Sequence, residues 1–348
     1  MPLNRLLEDP EVVVVSRTAV PPAPGRADFV RAAAQVLGAI GLRAESAVIK
    51  PNLTTAVQRA KPDDGIVTHV DFVRGMVEYL HAHGAARDRI TILEDPLDED
   101  HDGPRDWAKT GFHDIADALG ARLAFPTLPT VVERKVPRPL VFASRRVAEQ
   151  AVEPGSFLIN VPKLKTHTWA ITTLCMKNLM GLDYQVDRHY CSQSIQSVSG
   201  LEGRDFARKA EWLDTATHER IQENLAKRLA DLAQVVRPRL NVVEGVVGRD
   251  GTGFHRGANY GLGLAIAGVN VVAVDAVASY IMGFDPAKLI YLTIAAGVGL
   301  GTNDLAKIRV FTVEDGRLEA CRDLDSLRVD PPFRVITECT DEDENRYR

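Results

Sequence analysis

The chain of 348 residues has little of what several protein classes require. Its four cysteines include no C-x-x-C pair, which disfavours an iron–sulfur cluster, a zinc knuckle and a disulfide framework and favours a reducing cytoplasm. These cysteines are Cys175, Cys191, Cys321 and Cys339. The formal net charge is −5, without the basic excess of nucleic-acid-binding proteins, so no nucleic-acid partner is expected.

Long apolar runs are scarce as well. The first residues, MPLNRLLEDPEVVVV, lack a basic segment followed by a long apolar one, so no secretory signal is predicted. Residues 261–284 are apolar, but they are interrupted by Gly263, Gly268, Asn270 and Asp275. A buried strand, a turn and a buried helix explain this stretch better than a membrane span. We therefore expect a cytoplasmic protein without a membrane partner.

Familiar cofactor and catalytic motifs are also missing. The chain contains neither G-x-G-x-x-G nor G-x-x-x-x-G-K-[ST], so neither NAD nor a Walker A nucleotide site is expected. It contains neither H-E-x-x-H nor G-x-S-x-G. The candidate functional residues are therefore charged side chains that follow predicted strands.

Strand-like and helix-like segments alternate in the first third of the chain. Apolar runs predict strands and amphipathic stretches predict helices in the order strand 12–16, helix 28–40, strand 47–49, helix 71–83 and strand 90–93. Thr68, three residues before Asp71, is predicted to cap the second helix. These units predict an α/β fold with mostly parallel sheets flanked by helices. We expect two Rossmann-like lobes around a cleft, formed by residues 1–150 and residues 151–330. A C-terminal tail, 331–348, follows them.

Residues 157–182, FLINVPKLKTHTWAITTLCMKNLMGL, concentrate basic side chains after a strand predicted at 157–161. Along an extended chain Lys163, Lys165 and His167 share one face. A helix predicted to open near 166–169 would bring backbone N–H donors beside these cations, which suits a carboxylate or a phosphate. Lys177 joins the site if that helix is short or bent. The alternative is a solvated turn with a capping threonine.

A second candidate region is the glycine-rich stretch 244–257, EGVVGRDGTGFHRG, after a strand predicted at 240–243. Gly251 and Gly253 let the backbone take positive φ and approach a ligand closely. A plain surface loop is the alternative.

Two further segments lie where ligands commonly bind. Glu94 and Asp95 follow a predicted strand, at the end where open α/β sheets bind ligands, and they begin an acidic run that we expect to be solvated. Residues 183–219 are polar and irregular, which is typical of a lid or a binding loop.

Several motifs together resemble those of the domain of unknown function 362 family in order and spacing. They are Lys50-Pro51-Asn52, Thr68, NVPKLKTH at 160–167, KNLMG at 177–181, His189, Glu244-Gly245, AVDAV at 273–277, Met282-Gly283 and Gly299-Leu300-Gly301 with Asp304. Some members of this family carry a ferredoxin-like cysteine cluster, which this chain lacks, so the resemblance does not imply direct electron transfer here.

Three positions depart from the family pattern. His69 stands where members often have proline, Glu244 stands where they often have aspartate, and Phe254-His255 follows Gly253 where proline is usual. Two of these changes add a histidine, a candidate ligand or base, near a predicted loop end.

The first functional hypothesis is an enzyme that acts on a small carboxylate or phosphate-bearing substrate by lysine and histidine acid–base chemistry, as an isomerase, a lyase or a tailoring enzyme. Histidine exchanges protons near neutral pH, and lysine stabilises developing negative charge. The catalytic candidates are Lys165, His167 and His189. The substrate-binding candidates are Lys50, Asn52, Lys163, Thr166, Lys177, Asn178, Gly251 and Gly253.

The second hypothesis is a metal-dependent oxidoreductase, such as a non-haem iron enzyme, because two histidines and one carboxylate suffice for such a site. Its candidate ligands are His69, His167, His189, Glu244, His255 and Asp95. The third hypothesis is a non-catalytic anion-binding protein. The one candidate cofactor is a divalent metal, and the expected partner is a small-molecule anion. Whether the protein forms a homo-oligomer stays open. Whether Lys177-Asn178 is catalytic or braces the fold also stays open.

Overall fold

A computed structural model describes residues 4–53, 65–95, 107, 110–200, 213–337, 339 and 344–348. The strands are β1 (Val12–Arg17), β2 (Ala47–Pro51), β3 (Ile90–Leu93), β4 (Arg122–Ala124), β5 (Val131–Lys135), β6 (Ser144–Ala148), β7 (Leu158–Val161), β8 (Lys163–His167), β9 (Ile171–Thr172), β10 (Leu240–Arg249), β11 (Asn259–Gly268), β12 (Arg309–Glu314) and β13 (Arg317–Ala320).

The helices alternate with these strands. The α-helices are α1 (Arg26–Ala39), α2 (Val70–Ala82), α3 (Phe112–Leu119), α4 (Glu149–Val152), α5 (Cys175–Asn178), α6 (Tyr190–Ser199), α7 (Thr215–Val235), α8 (Val271–Ile281) and α9 (Ile290–Gly297). Short 3-10 turns lie at Arg5–Glu8, Arg87–Arg89, Leu179–Leu182, Pro286–Lys288, Asp325–Leu327 and Glu344–Tyr347.

One large sheet organises the described residues. Its strand order is β13-β12-β1-β11-β10-β7-β2-β3-β4, with β8 beside β10 and β9 beside β8. The strands from β10 through β7, β2 and β3 to β4 run parallel, whereas β11 is antiparallel to both β1 and β10. The predicted α/β fold with a mostly parallel sheet is confirmed. Strands from both sides of residue 150 share this sheet.

Helices cover both faces of the sheet because its central strands are apolar on both sides. In β1, Val12 and Val14 belong to one apolar cluster and Val13 and Val15 to the other, as the two-residue period of a strand requires. The first cluster contains side chains of α1 and α2, and the second contains side chains of α7, α8 and α9.

The predicted helix at 71–83 is confirmed as α2, but its predicted cap is wrong. The N-cap is His69, whose Nδ1 accepts a hydrogen bond from Asp71 N at 3.2 Å. Thr68 Oγ1 instead donates to Val161 O at 2.7 Å and accepts from Asn52 N at 2.8 Å. The hydroxyl ties the start of the helix to two strands, which a local capping pattern does not reveal.

The helix predicted near 166–169 is wrong. The chain stays extended as β8, which pairs with β10 and, after a tight turn, with β9. Because one pairing is long-range and the other depends on a turn, the local sequence does not predict them. The first helix after β8 is α5, which begins at Cys175 and has four residues.

The structure also extends or confirms the predictions for other segments. β10 continues through Glu244 to Arg249, beyond the turn expected at residue 244, because β11 pairs with it. Residues 183–219 contain α6 and the start of α7. The segment at 261–284 is confirmed as a strand, a turn and a helix, β11 and α8.

The acidic residues 98–102 lie outside the described residues. In the described part of the chain, none of the helices combines the length and the apolar character that crossing a membrane requires.

Candidate functional site

The carboxyl edge of the parallel strands gathers the charged candidates. β2 ends with Lys50 and Pro51, β3 is followed by Glu94 and Asp95, and β7 leads into β8. Because these strands run in the same direction, their carboxyl ends meet at one edge, where open α/β sheets bind ligands. The long-range contacts at this edge decide which of the predicted residues are available to a ligand.

Lys50 is buried and bonded on three sides. Its Nζ donates to Pro51 O at 2.7 Å and to Asn178 Oδ1 at 3.2 Å, and it forms an ion pair with Glu94. An ammonium group has three donors, so these three oxygens use all of them. Burial lowers the pKa of Lys50 well below its usual value, and the charge of Arg188 lowers this pKa further. The arrangement favours a bracing role over substrate binding.

Lys163 is also buried and paired. Its Nζ lies 2.5 Å from Glu244 Oε2. The same carboxylate accepts hydrogen bonds from His69 N at 3.2 Å and from Val246 N at 2.9 Å. Glu244 therefore joins β8, β10 and the start of α2, and its oxygens are occupied by protein donors. We call Lys50 and Lys163 the paired lysines.

His69 is a helix cap in an aromatic stack. Its ring lies 3.7 Å from that of Phe29, with an interplanar angle of 10°. Burial lowers the pKa of His69 to about 3, and the charge of Lys163 contributes. The ring is therefore neutral at physiological pH, and its Nδ1 already accepts the Asp71 amide.

The glycine-rich loop after β10 packs directly on β8. Thr166 Oγ1 donates to Gly251 O at 2.8 Å. Gly253 has a φ of +75°, and a Cβ at this position would collide with the carbonyl oxygen of Thr166. The predicted tail holds the other side of the loop, because Ile336 N donates to Gly251 O at 3.1 Å. The close approach that the glycines permit is thus to the protein's own backbone.

Phe254 from this loop lies over two predicted catalytic residues. Its ring centroid lies 4.4 Å from Lys165 Nζ and 6.0 Å from the His167 ring. Both Lys165 and His167 are buried. A cation over an aromatic face is stabilised by the ring's quadrupole, so the phenyl group holds Lys165 beside the histidine.

The hydrogen bonds of His167 indicate its tautomer. Nδ1 accepts from Trp169 N at 3.0 Å and from Ala170 N at 3.2 Å. A ring nitrogen that faces two N–H donors must present its lone pair, so the neutral ring carries its hydrogen on Nε2. Burial lowers the pKa of His167 well below its usual value, and the charges of Lys177 and Lys165 lower this pKa further.

Lys177 lies on the four-residue helix α5. Its charge acts on His167, and its Nζ lies 3.5 Å from Met180 Sδ. We call Lys165, His167, Lys177 and Phe254 the His167 cluster.

Asn178 has the contacts of a brace. Its Nδ2 donates to Lys50 O at 3.2 Å and to Asn160 Oδ1 at 2.8 Å, while its Oδ1 accepts from Lys50. It therefore links α5 to β2 and β7. Asn52, another predicted substrate ligand, has a buried Oδ1 that finds no hydrogen-bond partner among the residues that the structure describes.

Three residues near the site escaped the sequence analysis as site residues. Cys191 Sγ lies 4.0 Å from His167 Nε2, Phe254 covers Lys165, and Arg188 forms a buried ion pair with Asp95. No spacing rule connects these pairs, because each contact spans a long stretch of chain. The clustering of charge and cysteine in residues 188–191 was the available signal.

The candidate metal ligands are dispersed. His189 is the exposed N-cap of α6, and His255 is exposed on the glycine-rich loop. Within the described ranges, no group of three or more His, Cys, Asp and Glu side chains is placed to hold a metal ion. The geometry of this part of the chain thus offers no ligand set, and the metal hypothesis stays an untested prediction.

The fold and this edge define an α/β protein with a buried basic cluster beside its parallel strands. The chain belongs to the DUF362 family, a domain of unknown function, whose sequence model matches residues 47–280. That range includes the paired lysines and the His167 cluster, and it ends before Gly299-Leu300-Gly301.

A curated relative is the "Thylakoid-associated protein sll1697" of Synechocystis sp. (strain ATCC 27184 / PCC 6803 / Kazusa). It is 28% identical over 176 residues, which cover 51% of this chain and 47% of the relative. The chain thus spans about half the length of that relative. No solved structure matches the chain.

Proposed function

We propose that this chain is an enzyme that binds a small carboxylate or phosphate-bearing substrate at the His167 cluster. The observation that carries the proposal is that two cations, Lys177 and Lys165, act on the buried ring of His167. An anion at the His167 cluster would gain from two positive charges in a poorly solvated site.

The tautomer of His167 narrows its proposed role. With Nδ1 held by two backbone N–H groups, the ring presents Nε2–H to a ligand. It would act as a neutral hydrogen-bond donor or general acid towards developing negative charge, as in enzymes that polarise a carbonyl with neutral imidazole. Base catalysis at Nε2 would require the opposite tautomer. Isomerisation, elimination and decarboxylation all develop negative charge on oxygen, so each is compatible with this role.

The remaining predicted residues take supporting parts in the proposal. The paired lysines and Asn178 would brace the carboxyl edge, and Thr166, Gly251 and Gly253 would position the loop that carries Phe254. His189, at the exposed N-cap of α6, keeps its predicted role as a second acid or base. A cytoplasmic location and a homo-oligomer stay predictions.

The test is anion binding by isothermal titration with inorganic phosphate and with malonate. We expect the Lys165→Met/Lys177→Met double variant to bind each anion at least about tenfold more weakly than the wild type, a loss of about 1.4 kcal/mol. Lys227→Met is the matched control, because Lys227 lies on α7, paired with Glu223 at 2.6 Å. It removes one positive charge from the surface and should leave binding unchanged.

Two results would contradict the proposal. One is equal binding by the wild type and the double variant, and the other is no binding of either anion to the wild type at millimolar concentration. Native mass spectrometry of untagged protein, together with elemental analysis, identifies a co-purifying anion or metal. A stoichiometric metal would favour the metal-dependent alternative.

A further inference from the structure

Two adjoining cavities lie on one face of β2, β3 and β4, at one end of the sheet. Val48, Thr91 and Arg122 are paired neighbours that form a row across these three strands. Leu93 and Ala124 are paired two residues further along, so they form the next row of the same face, about 7 Å away. The first row lines one cavity and the second row lines the other. The cavities therefore follow one another along the strands.

The cavity at the amino ends of these strands, which we call the polar cavity, has a volume of about 360 Å³. Small-molecule sites usually occupy roughly 300–1,000 Å³. Its charged lining residues are Arg89, Arg122 and Glu153, and its uncharged polar ones are Ser46, Thr91, Gln150 and Ser156. Among the residues that the structure describes, neither arginine forms an ion pair. The cavity is thus bordered by two arginines with which an anionic ligand can pair.

The second cavity, which we call the apolar cavity, has a volume of about 270 Å³. The apolar residues that line it are Leu93, Leu123, Ala124, Phe125 and Ala148, and the others are Thr127, Thr130 and Gln150. Gln150 lines both cavities, so the two adjoin at this residue. The lining of neither cavity includes a residue of the His167 cluster or one of the paired lysines.

We propose that the two cavities together bind one amphipathic anion, a single alkyl chain with a carboxylate head. The planar guanidinium group of arginine matches a carboxylate, with two parallel hydrogen bonds. The polar cavity is lined by two arginines and one glutamate, so its net charge suits a singly charged head better than a doubly charged phosphate. The alkyl chain gains free energy by leaving water for the apolar cavity. This site is independent of the anion site proposed at the His167 cluster.

The test is isothermal titration with three ligands. Decanoate has the proposed head and chain, hexanoate has the same head and a shorter chain, and decyltrimethylammonium has the same chain and a cationic head. We expect decanoate to bind, and hexanoate to bind at least about tenfold more weakly because fewer methylene groups leave water. The cationic amphiphile should not bind. No decanoate binding at millimolar concentration, or equal binding of decanoate and decyltrimethylammonium, would overturn the proposal.

Arg89→Met/Arg122→Met tests the head of the ligand. It removes both cations from the polar cavity and should weaken decanoate binding at least about tenfold. The matched control is Arg317→Met/Arg322→Met, which removes two exposed arginines on and just after β13, at the opposite end of the sheet. This control should bind decanoate as the wild type does. Unchanged decanoate binding by Arg89→Met/Arg122→Met, with a wild-type circular dichroism spectrum, would refute the proposal.

Ala124→Leu tests the chain of the ligand. Ala124 is partly buried and lines the apolar cavity, so a larger side chain there occupies space that the alkyl chain needs. The preference for decanoate over hexanoate should therefore shrink in this variant, while hexanoate binding changes less. If the wild type binds the two carboxylates equally, or if folded Ala124→Leu keeps the full preference, the alkyl chain does not enter the apolar cavity and the proposal is wrong.

The Lys165→Met/Lys177→Met variant separates this site from the His167 cluster. It should bind decanoate as the wild type does, whereas Arg89→Met/Arg122→Met should leave malonate and phosphate binding unchanged. Decanoate binding without malonate or phosphate binding would support the cavities and count against the His167 cluster. Loss of decanoate binding in the lysine variant, with normal binding in the arginine variant, would place the carboxylate at the His167 cluster and overturn the proposal.

Discussion

The paired lysines and the His167 cluster lie near the same edge of one sheet, yet they use lysine differently. Lys163 shares Glu244 with two backbone amides, and Lys50 contacts Glu94 and two further oxygens. At the His167 cluster, the positive charges of Lys165 and Lys177 act on the histidine. The first arrangement joins each lysine to a glutamate, and the second is where we propose that an anion binds.

The comparison shows that a buried lysine near a strand end is not by itself a ligand site. A buried ion pair balances a desolvation penalty against the attraction of its partner, and removing one member leaves a buried charge without compensation. A cluster of like charges gains stability when an anion joins it. The loss of one charge should therefore cost much more stability at the paired lysines than at the His167 cluster.

The largest expected effect is at the paired lysines. Glu244→Gln leaves the buried Lys163 charge uncompensated, and we expect a loss of about 3–5 kcal/mol in the free energy of unfolding. Urea denaturation followed by circular dichroism measures it. Adding Lys163→Met to this variant should recover part of the loss. A loss below about 1 kcal/mol in the single variant would break the comparison, because it would mean that the pair is not needed.

A second substitution acts on the loop that carries Phe254. Gly253→Ala forces a Cβ against Thr166 O at a φ of +75°, so we expect a destabilisation above the roughly 1–2 kcal/mol of left-handed strain alone. Gly155→Ala is the matched control, because Gly155 has a φ of +87° with nothing within 4 Å of an added Cβ. Equal losses in the two variants would show that the contact with β8 is not tight.

The pH dependence of stability tests the low pKa of His167. Because burial lowers this pKa, the unfolded state takes up a proton below about pH 6.5 that the folded state refuses, and stability falls as the pH drops. His167→Asn should reduce that slope by about 1.4 kcal/mol per pH unit. Urea midpoints of both proteins between pH 7 and pH 5 measure it. Parallel curves would mean that His167 protonates normally.

The comparison with the unsubstituted protein is essential, since other buried groups titrate in the same range. Burial lowers the pKa of His69 to about 3 and that of His218 to about 4, which adds slope of the same sign. Burial raises the pKa of Asp275 to about 7, and this acid contributes with the opposite sign. The difference between the two proteins removes these common contributions.

The smallest stability effect is expected at Lys177. Lys177→Met removes one of two like charges beside a neutral ring, so the free energy of unfolding should change by less than about 1 kcal/mol. The pKa of His167 should rise, because one of the charges that lower it is gone. An NMR titration of the imidazole Cε1–H measures this pKa. A loss as large as that of Glu244→Gln would erase the distinction between the two regions.

The sequence predicted the strands and helices whose apolar pattern is local, such as β3 and α2. It also placed Lys165 and His167 at a strand end. It did not predict their partners, because Lys163 and Glu244 are separated by 81 residues and His167 and Cys191 by 24. The helix near 166–169 was predicted wrongly for the same reason. β8 is extended because it pairs with β10, and β10 lies outside residues 157–182.

The placement of β1 has a consequence for how the chain folds during synthesis. Its neighbours are β11 and β12, so the strand with Val12–Val15 finds its partners only after residue 314 has been made. Until then, the backbone edges of β1 and the face with Val13 and Val15 lack their partners from the second half of the chain, and such non-local pairing is slow and prone to aggregation. A nascent chain of this protein should therefore expose a chaperone-binding segment near its amino terminus until nearly the whole sheet has been translated.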